Sequence, residues 1–139
     1  MNGTHRPRQI GRSIGAVLAG AIAGVAVTLG TDKMLQATGV FPPPSQPMRD
    51  VLLLLATAYR AVYGVAGSYL TARLAPYRPT LHVLVLGAIG CALGMVGVVM
   101  TWGQAVAVGH EWYPIALAAL AMPQSWLGGF LHRRWHGAP

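Results

Sequence analysis

The sequence predicts an all-α integral membrane protein, a four-helix bundle with both termini in the cytoplasm (N-in/C-in). Three observations lead there. Apolar residues make up 54% of the 139-residue chain and charged residues only 9%, against about 25% charged in an ordinary soluble domain. The apolar residues fall into four blocks, each close to the roughly 20 residues that cross a hydrocarbon core. The basic residues collect in short clusters between alternate blocks, the pattern of the positive-inside rule.

Residues 1–12 carry His5, Arg6, Arg8 and Arg12 beside Gly3 and Pro7. They read as a disordered cytoplasmic arm preceding a membrane domain over residues 13–135 and a short tail at 136–139. The first span covers about 13–31 and is uncharged from Ser13 to Leu29. A basic start and an apolar run also describe a signal peptide, but no Ala-x-Ala site follows directly, so an uncleaved helix is expected. The loop from Thr31 to Asp50 holds Asp32, Lys33 and Arg49 around Pro42-Pro43-Pro44 and Pro47. Consecutive prolines lack amide donors and constrain their neighbours, which predicts a stiff extended connector; a PxxP ligand is the alternative.

The second span covers about 51–74, with Asp50 expected to cap its positive end. A short basic turn, Ala75-Pro76-Tyr77-Arg78-Pro79, returns the third span, about 81–102, antiparallel beside it. The connector from Gly103 to Glu111 includes His110. The fourth span, about 112–131, has Pro114 in its first turn and an expected kink at Pro123. His132, Arg133, Arg134, Trp135 and His136 close it.

Lysine and arginine counts set the orientation. The arm, central turn and tail hold seven (Arg6, Arg8, Arg12, Arg73, Arg78, Arg133, Arg134), whereas the other two connectors hold Lys33 and Arg49. This asymmetry puts the first set inside. All three acids, Asp32, Asp50 and Glu111, then lie outside, with Trp102, Trp112 and Tyr113 as outer anchors and Tyr69, Tyr77 and Trp135 as inner ones. The same clustering argues against nucleic-acid binding, which needs a basic stripe. A soluble bundle would show a polar face at helical spacing, and the third span shows none.

Helices in lipid associate through small residues. Gly20 and Gly24, Gly64, and the run Gly87, Gly90, Gly94 and Gly97 form such faces, which serve packing within the chain or against a second copy or another membrane protein. Cys91, alone in an apolar block, reads as a small hydrophobe.

Arg60 is the most informative residue. It lies about 14 Å along the second span at 1.5 Å per residue, deep enough that a charge there is a functional-site hypothesis by default. Tyr59 and Tyr63 flank it as hydroxyl partners; Thr57, backbone carbonyls, or an acid reached by upward snorkelling are further ones. Three readings follow: a network that fixes helix arrangement, a site for an anion or lipid headgroup, or a position nearer the interface than the count implies. No carboxylate is expected inside any span. That argues against proton-coupled cation export. The size and helix count resemble small multidrug exporters, but their first-helix glutamate has no counterpart here.

His132 and His136, four apart, share a helix face without a third ligand or an HExxH pattern, so no metal or other cofactor is expected. No nucleophile–base pair, phosphate loop or paired carboxylates suggest an enzyme. Tyr59-Arg60, the run Gly67-Ser68-Tyr69-Leu70-Thr71-Ala72-Arg73-Leu74-Ala75-Pro76 with Pro79 and His82, and Trp112-Tyr113-Pro114-Ile115-Ala116-Leu117 with Pro123 and Trp126-Leu127-Gly128-Gly129 resemble a group of small four-span bacterial membrane proteins. The resemblance covers residues 50–135 and implies an inner-membrane home; it brings no activity and assigns no functional residue. The expected role is therefore a small inner-membrane protein of structural or accessory type. The alternative is a small transporter or channel that draws an anionic or amphipathic solute to Arg60.

Overall fold

A computed structural model describes residues 6–103 and 111–137; His5, Gly3 and the His110 connector lie outside the described residues. Four helices fill it: α1 (Arg6–Ala37), α2 (Asp50–Leu74), α3 (Pro79–Thr101) and α4 (Trp112–His136). Each is long and apolar enough to cross a membrane.

The first helix departs most from expectation. It begins at Arg6, inside the stretch expected to be disordered, because Pro7 suits a first helical turn and Arg8 and Gln9 are good helix formers. It also runs past Thr31 to Ala37. The stop is a Schellman arrangement: Gly39 adopts φ +76°, its N–H donates to the Gln36 carbonyl at 3.1 Å, and the Val40 N–H donates to Leu35 at 3.0 Å. These bonds satisfy carbonyls that the helix end leaves open. Asp32 and Lys33 are therefore helical residues, not loop residues. The expectation of no carboxylate within a helical span fails on this point.

Asp50 is likewise not the cap of α2. Arg49 occupies the cap position in extended conformation and Asp50 is the first helical residue, still at the positive end of the dipole. Arg78 precedes α3 in the left-handed region and Pro79 opens the helix. The buried His82 ring returns to the turn, its Nδ1 donating to the Arg78 carbonyl at 3.2 Å. Helix α4 continues without interruption through Pro123.

Cross-helix neighbours define the topology. Gly20 lies against Thr71 and Gly24 against Tyr63, so α1 and α2 are antiparallel. Gly87 meets Ser125 and Gly94 meets Ala118, so α3 and α4 are antiparallel. Asp50 meets Trp112 and Ser68 meets Gly128, so α2 and α4 run parallel. Helix α4 packs broadly on both α2 and α3, α1 packs mainly on α2, and α1 touches α3 sparsely.

Small and polar side chains make up most of the interior, Ala56, Ser68, Thr71 and Ala72 of α2 and Ala118, Ala121 and Ser125 of α4, with Leu53, Val83 and Val98 as its larger apolar members. Val51, Leu54, Val62, Leu93, Val96, Val99 and Met100 face outward. This arrangement is the inverse of a soluble core, whose apolar bulk goes inside; it is the distribution expected where close helix contact drives association. Gly97 has nothing within 4 Å of the place a Cβ would occupy, unlike Gly87 and Gly94 on the same helix.

The proline-rich connector is anchored by Phe41. Its ring is 4% exposed and stacks on Tyr59 at 6.5 Å between centroids. Phe41→Ala is expected to release this loop. Limited proteolysis of the purified protein should cut between residues 39 and 47 faster than in the wild type, while the helical circular-dichroism signal stays the same. An unchanged cleavage rate would show that the prolines alone hold the connector.

Candidate functional site

Arg60 leaves α2 ten residues beyond its first residue, Asp50, and side chains on a helix lean toward its N-terminus. Its guanidinium consequently reaches back toward the end of the bundle where α2 and α4 begin, and it meets three groups there. Nη2 donates to Asp32 Oδ2 at 2.6 Å. The Tyr59 hydroxyl donates to the other carboxylate oxygen, Asp32 Oδ1. The Tyr113 ring lies 5.7 Å from the guanidinium carbon, within the range of a cation–π contact. One ionic group from α1, two side chains from α2 and a ring from α4 are thus joined at one point.

The expected partners are sorted by this geometry. An acid is reached, as snorkelling requires, and it is Asp32. Tyr59 stands beside Arg60 on the same carboxylate. Tyr63 does not touch the guanidinium: its ring lies against Tyr59 at 5.6 Å and its hydroxyl is 3.0 Å from Thr31 Oγ1. The Thr31 hydroxyl already donates to the Val27 carbonyl, so Tyr63 is the donor in that pair. Thr57 turns back to the Leu53 carbonyl. Further toward the same end, Trp112 Nε1 donates to Asp50 Oδ1 at 3.0 Å, closing α4 onto α2.

One part of Arg60 is not consumed. Its Nε is buried without a hydrogen-bond partner, and its side chain retains 30% exposure against 16% for Asp32. Arg60 also lines a cavity of about 410 Å³ to which all four helices contribute, with Gly24 and Thr28 from α1, Tyr63 from α2, Ile89 from α3 and Gln124 from α4. The space lies where α1 and α3 touch only sparsely. Gln124 was not singled out by sequence reasoning. Its signal was an amide directly after Pro123, in the middle of an apolar block. Among the described residues, neither Gln124 nor Thr28 has a side-chain hydrogen bond.

At the opposite end, His132 and His136 gather around Tyr69. The Tyr69 ring is 5.8 Å from His132 and 5.9 Å from Trp135, and its hydroxyl lies 3.3 Å from His136 Nε2. Among the described residues no third metal-binding type joins them, and the cluster serves as an aromatic clasp between α2 and α4. Comparisons with protein-family profiles, curated proteins and solved structures found no match for the chain.

Proposed function

We propose that the chain is a multi-pass protein of the bacterial inner membrane, N-in/C-in, acting as a structural or accessory component and not as an enzyme. Seven basic residues against two favour this orientation, and the outward apolar side chains suit lipid. The observation that carries the accessory reading is the Asp32–Arg60 pair at 2.6 Å. It neutralises the guanidinium within the protein and uses it to tie α1 to α2, so the charge is not held in reserve for an anionic solute. The outward faces leave the bilayer, a second copy or another membrane protein as partners. The second reading, a small transporter or channel using Arg60, draws support from the cavity beside that residue.

Thiol labelling of intact cells with a membrane-impermeant reagent, in a Cys91→Ser background, separates these. Ser45→Cys in the proline-rich connector should label, while His136→Cys should not; the reverse would overturn the orientation. Thr28→Cys lies on the cavity wall and should stay silent in an accessory protein. Strong labelling there would mean that water reaches Arg60, and the transporter reading would replace the accessory one.

A further inference from the structure

The cavity beside Arg60 combines two properties that helix packing alone does not require. It presents polar groups with unmet hydrogen-bonding capacity midway along the helices: the Gln124 amide and the Thr28 hydroxyl, with Arg60 beside them in the wall. A bare amide in an apolar setting costs free energy unless something pairs with it. It also continues as an apolar track. A second cavity of about 330 Å³ lies between α1 and α3, lined by Val17, Leu18, Leu81 and Val85, and it shares Ile89 with the first. The two together make a groove with a polar head end and an apolar tail end.

We propose that this groove binds a neutral single-chain amphipath drawn from the bilayer, its carbonyl or hydroxyl head held by Gln124 and Thr28 and its chain lying between α1 and α3. The site rests on the membrane reading above only for the route by which its ligand arrives. Neutrality follows from the charges: Asp32 already compensates Arg60, neither cavity is lined by a further Asp, Glu, Lys or Arg, and His82 at the far end of the second is tied to the Arg78 carbonyl. An acceptor in the head follows from the donors, since the Gln124 amide nitrogen and the Thr28 hydroxyl both carry hydrogens to donate. A single chain follows from size. A volume of about 410 Å³ lies toward the lower end of the ~300–1,000 Å³ usual for small-molecule sites, and the track beyond it is narrower still. A free phosphate or a fatty-acid anion would bring a charge with no compensating partner.

The test is photo-crosslinking in detergent-purified full-length protein, whose outcome does not depend on orientation in the cell. The probe is a monoacylglycerol with a diazirine in its acyl chain, and labelled peptides are mapped by mass spectrometry. Saturable labelling is expected at Val17–Leu18 and Val85–Ile89, competed by unlabelled monoacylglycerol and not by palmitate. Gln124→Leu should weaken probe binding about fivefold, the worth of one hydrogen bond, with no fall in melting temperature. Gly90→Leu provides a second variant, because a Cβ there meets only Ala121 at 3.4 Å and the larger side chain would occupy the cavity; labelling should be lost. Non-saturable labelling spread over outward positions such as Val62 and Val99, or stronger competition by palmitate, would overturn the assignment.

Discussion

Gly128→Leu is expected to abolish the folded bundle. A Cβ at this position would stand 2.6 Å from the Val65 carbonyl oxygen and from Ser68 Cβ, and 2.8 Å from the Tyr69 nitrogen. Two of those atoms belong to the α2 backbone and cannot rotate away, so accommodation requires moving a helix. Overpacking a core ordinarily costs about 1–3 kcal/mol; here the cost should exceed about 3 kcal/mol, because α4 must separate from α2 along a shared face. The loss would reach the Ser68–Ser125 hydrogen bond and the Tyr69 clasp, which lie on either side of the contact. Size-exclusion chromatography should show aggregate in place of a single species, and the thermal transition should disappear. Gly97→Leu supplies the contrast: with open space around Gly97, its melting temperature should stay within a degree or two of the wild type. Equal damage from both substitutions would mean that Gly97 is packed against a second copy and that the intramolecular account of the glycine faces is incomplete.

That contrast also shows where the sequence was readable. Apolar blocks placed the starts of three helices closely, α2 at Asp50, α3 at Pro79 and α4 at Trp112, but α4 runs to His136, five residues past the expected 131. Burial in lipid and the punctuation of Pro76, Pro79 and Pro114 act together there, so hydropathy and backbone agree. They disagree at the end of α1, because hydropathy registers where side chains become polar, whereas a helix ends where its carbonyls find other donors. Gly39 before Pro42 carried that information, and the charges at Asp32 and Lys33 obscured it. The Arg60 network was legible only as a need for an acid within snorkelling reach; choosing Asp32 required the corrected end of α1. The packing surface of α4 was present as Ala118, Ala121, Ser125 and Gly128, all small and three or four apart. It is less visible than the glycine runs because alanine is also an ordinary apolar helix former. Gln124 depended on tertiary placement: it becomes a cavity wall only once α4 lies against Gly64 of α2.

Removing the carboxylate of the charge pair should be far more damaging than removing both charges. Arginine does not surrender its proton, so Asp32→Leu leaves a fixed cation among apolar helices with only the Tyr113 ring and unmet donors around it. Breaking such a pair costs about 3–5 kcal/mol. Arg60→Leu should cost less, because the remaining Asp32 carboxylate keeps the Tyr59 hydroxyl as a hydrogen-bond donor. The double variant Asp32→Leu/Arg60→Leu should recover most of the loss, to within about 1 kcal/mol of the wild type, since replacing a buried ion pair by apolar residues is often neutral. Unfolding in mixed micelles of increasing SDS, followed by circular dichroism for all four proteins, gives the coupling energy of the cycle directly. Additive losses would mean that the 2.6 Å contact contributes nothing as a pair and that Arg60 is held by Tyr113 and solvent. A double variant as stable as the wild type would carry a different implication. The pair would then be dispensable for folding strength, and its value would lie in specifying one arrangement of α1 against α2 and so the shape of the groove that Gln124 lines.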